Sequence, residues 1–145
     1  MKKIVLLLLM ISFSSCDRAI FASVTNQKNE PYNLKIYYNA NSEKIKDYID
    51  HHKNFENFSK FIVKYNNYNF KKDIINDSIE KSTLIKLSPK DSFTIWGGIF
   101  QLENFDEIEK IELINSNNQI TEIKGSEIST SFELKEGVTY LYTIK

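Results

Sequence analysis

Thr83-Leu84-Ile85-Lys86-Leu87, then Ser88-Pro89-Lys90-Asp91, then Ser92-Phe93-Thr94-Ile95-Trp96: two stretches rich in β-branched and aromatic side chains flank four turn formers. Pro89 presets the φ of a turn, and Ser88 and Asp91 offer side chains that bond to nearby backbone. The pattern predicts two strands joined by a tight turn, a hairpin.

The same grammar recurs on either side. Downstream, Glu109 to Ile114 and Gln119 to Lys124 flank a turn through Asn115 to Asn118, and Ser129 to Leu134 and Thr139 to Ile144 flank a turn with Gly137. Upstream, Ala19 to Asn26 sets Ile20, Ala22 and Val24 on one face and Phe21, Ser23 and Thr25 on the other. Leu34, Ile36 and Tyr38 alternate next, after a turn from Gln27 to Asn33 that holds Asn29 and Pro31, so an opening hairpin is expected. Seven or eight short strands in this succession predict a mainly β fold, a small antiparallel β-sandwich.

The period changes once. Ile45, Tyr48, Ile49, His52 and Phe55 recur at three- and four-residue spacing behind Ser42, a natural N-cap. This predicts one inserted amphipathic helix from Ser42 to about Lys53; beyond it the spacing of Phe58, Phe61 and Ile62 fits two further turns and Phe61 to Tyr65 fits a strand, and a helix ending near Lys60 is the favoured reading. Tyr65 to Ile79 is polar and asparagine-rich, and reads as loop with at most a short strand.

Length allows a single domain with a targeting segment, residues 1–15, before it; 16–18 form a short tether and 19–145 the β-rich domain. Ten Phe and eight Tyr against four Gly and two Pro make a core-forming composition. Without Lys2 and Lys3 the remainder has 17 basic against 19 acidic residues, interleaved along the chain. That balance argues against nucleic acid as a partner, since phosphate binding requires a basic excess gathered into a patch.

At the N-terminus, Lys2 and Lys3 precede a continuous apolar run from Ile4 to Ile11, then mostly small residues to Cys16. This is the outline of a secretory signal peptide, with an apolar run less than half of the ~20 residues a spanning helix needs. Cys16 is the chain's single cysteine, so an internal disulfide is impossible. Phe13-Ser14-Ser15-Cys16 resembles the lipobox of bacterial lipoproteins, with Phe13 where the family usually has an aliphatic residue. The resemblance covers the first 16 residues. It implies cleavage before Cys16, lipid on its thiol, and a place in the bacterial cell envelope, on the inner or outer membrane. Stable residence follows when two or more acyl chains insert, each buried methylene contributing ~0.8 kcal/mol. Only Asp17 and Arg18 separate Cys16 from the first strand, a reach of about 10 Å at ~3.5 Å per residue, so the domain is expected close to the bilayer.

Chemical candidates are sparse. Asp47 and His51 stand one helical turn apart, a spacing that can share a metal, yet the adjacent His52 points about 100° away and no cysteine completes a site. Glu103, Asp106, Glu107 and Glu109 supply oxygens without the spacing of a calcium loop. Asn57-Phe58-Ser59 and Asn76-Asp77-Ser78 match the N-glycosylation sequon, and Asp77-Ser78-Ile79 resembles a short bacterial O-glycosylation motif. There is no G-x-S-x-G elbow or phosphate-cradling glycine loop. No catalytic residue, cofactor or metal is assigned.

Tyr65, Tyr68 and Phe70, set among asparagines, would suit a ligand surface where ring faces stack and amides hydrogen-bond, and Trp96 before Gly97 and Gly98 is a second such place. The expected function is a membrane-anchored, non-enzymatic envelope lipoprotein that binds an envelope protein or a glycan. Two other readings stand beside it: a small hydrolase or metal-dependent enzyme using the Asp47 and His51 region, and an immunity-type lipoprotein that captures a toxin.

Overall fold

The structure, a computed structural model, describes residues 19–68, 74–99 and 105–145. Segments 1–15 and 16–18, with Cys16, lie outside the described residues, as do Phe70 and Glu103. The described chain forms β1 (Ala19–Asn26), β2 (Tyr32–Tyr38), α1 (Glu43–His51), α2 (Phe55–Asn66), β3 (Ile74–Asp77), β4 (Ser82–Leu87) and β5 (Ser92–Ile99). It continues with β6 (Ile108–Ile114), β7 (Ile120–Lys124), α3 (Ile128–Ser131), β8 (Glu133–Lys135) and β9 (Thr139–Ile144). The strands make two sheets, ordered β5-β1-β9-β8 and β3-β4-β2-β6-β7. The mainly β sandwich with an inserted helical segment is therefore present, with nine strands among the described residues and two helices in the insertion.

Two of the four expected hairpins are something else. β4 and β5 lie in different sheets, as do β1 and β2, so the turns at 88–91 and 27–31 are arches that carry the chain from one sheet to the other. The physical reason is burial on facing sides. Ala22 and Val24 of β1, Leu34 and Ile36 of β2, Ile85 and Leu87 of β4, and Phe93 and Ile95 of β5 all enter one core, which is the packing of two sheets face to face. Asn26, fully buried, laces the arches together. Its Nδ2 donates to the carbonyls of Glu30 (2.9 Å) and Leu87 (3.2 Å), its Oδ1 accepts from Lys28 N (3.0 Å), and its carbonyl accepts from Lys90 N (2.7 Å).

The other two hairpins form, β6 with β7 and β8 with β9. The last begins late, because residues 128–131 make a helical turn instead of a strand. That turn brings Ile128 and Phe132, four apart, into the core together. Among the described residues one strand pair is parallel: β1 lies between β5, antiparallel to it, and β9, parallel to it.

Ser42 caps α1 as expected, its Oγ accepting from Ile45 N at 3.4 Å. The apolar stripe does not continue as one helix, however. Lys53 takes φ of 70°, and Asn54 starts α2 by accepting from Asn57 N at 2.9 Å. Restarting the helix lets both Phe55 and Phe58 turn inward, and α2 runs on to Asn66, past the expected end.

α2 packs on β5 and β3, the edge strands of the two sheets, and so closes one side of the sandwich. Just beyond its end, Asn67 pairs with the β5 edge like a short strand: Thr94 N donates to Oδ1 (2.7 Å) and Nδ2 donates to the Thr94 carbonyl (2.9 Å). Exposed strand edges template unwanted pairing, so this amide shields one. Asn67→Ala removes both bonds and should cost about 1–3 kcal/mol in urea denaturation, with faster amide exchange at Thr94. On the opposite side α3 contacts β7, β8 and β9 and closes the sandwich there.

The outer face of the five-stranded sheet is a charged lattice. Lys35 and Lys110 place ammonium groups 4.7 and 4.6 Å from the centroid of the Tyr37 ring, whose hydroxyl donates to Glu112 at 3.0 Å. Lys110 also pairs with Glu112 (2.7 Å) and Glu122 (2.9 Å). Burial works to raise the Glu112 carboxyl, but hydrogen bonds from Lys110 and Tyr37 outweigh it and hold it below its usual value of 4.5. Asp77 is also depressed, by the backbone N–H groups of Glu80 and Ile79. A depressed carboxyl binds protons more readily unfolded than folded, so its stabilisation is complete above the unfolded value and lost as pH falls through the folded one. The thermal midpoint should therefore decline below about pH 4.5, and Glu112→Gln should make that decline shallower in melts run across acid pH.

Candidate functional site

The described aromatics divide into a buried set and an exposed strip, and α2 carries both. Phe55, Phe58 and Ile62 face inward, where Phe58 meets Tyr38 edge-on at 5.2 Å. Phe61 and Tyr65, on the adjacent face, are 45% and 60% exposed, and Tyr68 beyond the helix is 86% exposed. These rings are in a row: His52 stacks on Phe61 at 4.4 Å, and Phe61 on Tyr65 at 5.8 Å. The helical repeat sets the Phe61–Tyr65 step, since residues four apart share a face.

Three shallow grooves meet along this row. Asp47, Tyr48, His51, His52 and Phe61 line the first, and Phe61, Lys64, Tyr65 and Tyr68 another. Between α2 and β5 lies the third, of about 300 Å³, lined by Tyr48, Phe61, Ile62, Tyr65, Trp96, Gly97 and Gly98. Phe61 borders all three.

Of the residues singled out from sequence, Tyr65 and Trp96 come to one groove and Tyr65 and Tyr68 to the next, while Phe70 lies outside the described residues. Trp96 is only 2% exposed. It packs against Tyr38 and Tyr48, with Lys44 Nζ 6.0 Å from its ring centroid, and so belongs to the core beneath the strip. Phe61 and His52 are the members that sequence reasoning missed, because both sat within an apolar helical stripe. The four-residue step from Phe61 to Tyr65 was the available signal.

Several of the remaining candidates serve structural roles, while Asp47 and His51 lie at the open groove beside Phe61. His51 is exposed and His52 half-buried, their rings nearly perpendicular at 88°. Among the described residues, no three His, Cys, Asp or Glu side chains gather as metal ligands. Glu107 pairs with Lys44 at 2.7 Å, and the Asp106 carbonyl accepts from Asn39 at 2.9 Å. Asn57 donates to the His52 carbonyl, and Asn76 accepts from Ser59 (2.7 Å) and Thr83 (3.1 Å). Ser59 and Thr83 also bond to each other at 2.6 Å, a buried knot of hydroxyls and amide that ties α2 to the sheet.

Chemically, the strip offers ring faces and edges, the Lys64 ammonium and the Asp47 carboxylate at one open surface. That suits adhesion or stacking. Among the described residues no helix is long and apolar enough to cross a membrane. Against protein-family models, curated proteins and solved structures alike, the chain gives no match.

Proposed function

We propose that this protein is a bacterial envelope lipoprotein, held on a membrane by lipid at Cys16, whose β-sandwich acts by binding and not by turnover. The aromatic strip of His52, Phe61, Tyr65 and Tyr68 is its binding surface. The observation that carries the binding role is this exposed, contiguous row of rings, in which three large apolar side chains stand open to solvent. Contiguous exposed apolar surface on a small domain marks a place where something docks. The lipobox-like Phe13-Ser14-Ser15-Cys16 supports the anchor, and the two residues between Cys16 and β1 keep the domain within about 10 Å of it.

Intact mass spectrometry of protein extracted from bacterial membranes tests the anchor. The expected mass is that of a chain starting at Cys16 plus acyl groups, and Cys16→Ala should abolish both the added mass and the membrane fraction. An unacylated product cut elsewhere would sink the anchor.

A further inference from the structure

Resting on that reading, we infer that the ligand of the aromatic strip is the lipid surface itself: the domain lies against the bilayer through Phe61, Tyr65 and Tyr68. Strand register carries the inference. β1, where the chain enters the domain, pairs with β5 as Ala19 to Ile99, Ile20 to Gly98 and Phe21 to Gly97. Gly97 and Gly98 also form a wall of the groove lined by Phe61, Tyr65 and Trp96. The start of the domain is thus one strand spacing, ~4.8 Å, from the groove wall. Eighteen residues precede Ala19, and Cys16 is three positions before it. Acyl chains on Cys16 pull this corner to the headgroups and the strip with it.

The chemistry of the strip fits that depth. Tyrosine rings prefer the headgroup boundary, where the ring is dry and the hydroxyl wet. Lys64, between Phe61 and Tyr65 at the groove rim, is exposed and can extend to headgroup phosphates while its stem lies on apolar surface. Lys60, on the same helix, is paired with Glu56 at 2.6 Å, which neutralises that carboxylate near the surface. Asp47 lines the adjoining groove that Phe61 borders, at the His52 end of the strip, away from the groove that Lys64, Tyr65 and Tyr68 line. A lone helix of this kind would bind reversibly, but acylation supplies the second signal that makes residence stable.

The test uses the full chain, made in a bacterial host and reconstituted into phosphatidylethanolamine and phosphatidylglycerol vesicles. Acylation blocks Cys16, so Tyr68→Cys provides one thiol for an environment-sensitive fluorophore, with Ile120→Cys on the distant edge strand β7 as control. Intact mass is read on the same samples. The expected result is a blue shift at position 68 and about a tenfold loss of access to a water-soluble quencher, with position 120 unchanged. Adding Phe61→Ser and Tyr65→Ser, with circular dichroism unchanged, should restore access at 68. A label at 68 that stays in water on acylated protein overturns the docking and leaves the anchor standing. A blue shift that follows protein concentration instead of lipid overturns it in favour of a second copy of the chain, and one that appears only with added glycan overturns it in favour of a carbohydrate. A mass without acyl groups removes the anchor and the docking together.

Discussion

Phe58→Ala should destabilise the domain by about 3–5 kcal/mol, the usual cost of truncating a fully buried phenylalanine. Phe58 is completely buried and lies at the junction of α2 with the sandwich, 5.2 Å from Tyr38, 6.0 Å from Phe55 and 6.2 Å from Tyr48. Those neighbours belong to α1, α2 and β2, elements that cannot all move into the same hole. A domain of this size typically has only ~5–15 kcal/mol of stability, so the variant approaches unfolding at room temperature. Urea denaturation measures the loss. Phe61→Ala, three residues on but exposed, is the comparison and should cost less than about 1 kcal/mol. Equal losses from the two would show that the inner and outer faces of α2 have been misassigned.

The second large effect is expected from Gly125→Ala. A methyl there would stand 1.7 Å from the Ile108 carbonyl oxygen, 2.7 Å from its carbon and 3.2 Å from the Phe105 carbonyl oxygen. All three are backbone atoms, and none can swing aside by changing rotamer. Gly125 follows β7 directly, and Ile108 begins β6, so relief requires the end of β7 to lift from its partner near the Lys110 to Lys124 pairing. A cost of about 3 kcal/mol or more follows, read as a lowered melting temperature together with faster amide exchange at Ile123 and Lys124. A variant as stable as the parent would mean that this corner is looser than its packing indicates.

What the sequence made legible was burial, and what it hid was partnership. Alternation along Ala19 to Asn26 sets Ile20, Ala22 and Val24 on one face, and all three are buried. It carries no record of which strand lies alongside, because an arch between sheets and a hairpin within one use the same turn residues. Asn26 decides the matter through hydrogen bonds to Leu87, Lys90 and Asp91, three partners that sequence does not bring near. Gly97 was read only as part of a ligand surface, whereas in the fold it admits β1: a Cβ there would lie 2.5 Å from the Ile20 oxygen. The break at Lys53 and Asn54 was hidden because the apolar spacing runs across it. Within the candidate site, Tyr65 and Tyr68 were visible as aromatics among polar residues. Trp96 was taken from the surface by packing that only the fold reveals, and Phe61 was concealed in a helical stripe.

The central place of β1 in its sheet has a kinetic meaning. Its antiparallel partner is contributed from around residue 95 and its parallel partner from residues 139 to 144, so neither neighbour is local. A chain emerging from the ribosome can close the β6 and β7 hairpin early, but the sheet that holds its first strand waits for its last. Long-range pairing of this kind slows folding, since loop closure is paid before contacts repay it. Until residues 139 to 144 arrive, β1 lacks its parallel neighbour and one of its two edges stays open, a template for pairing with another chain.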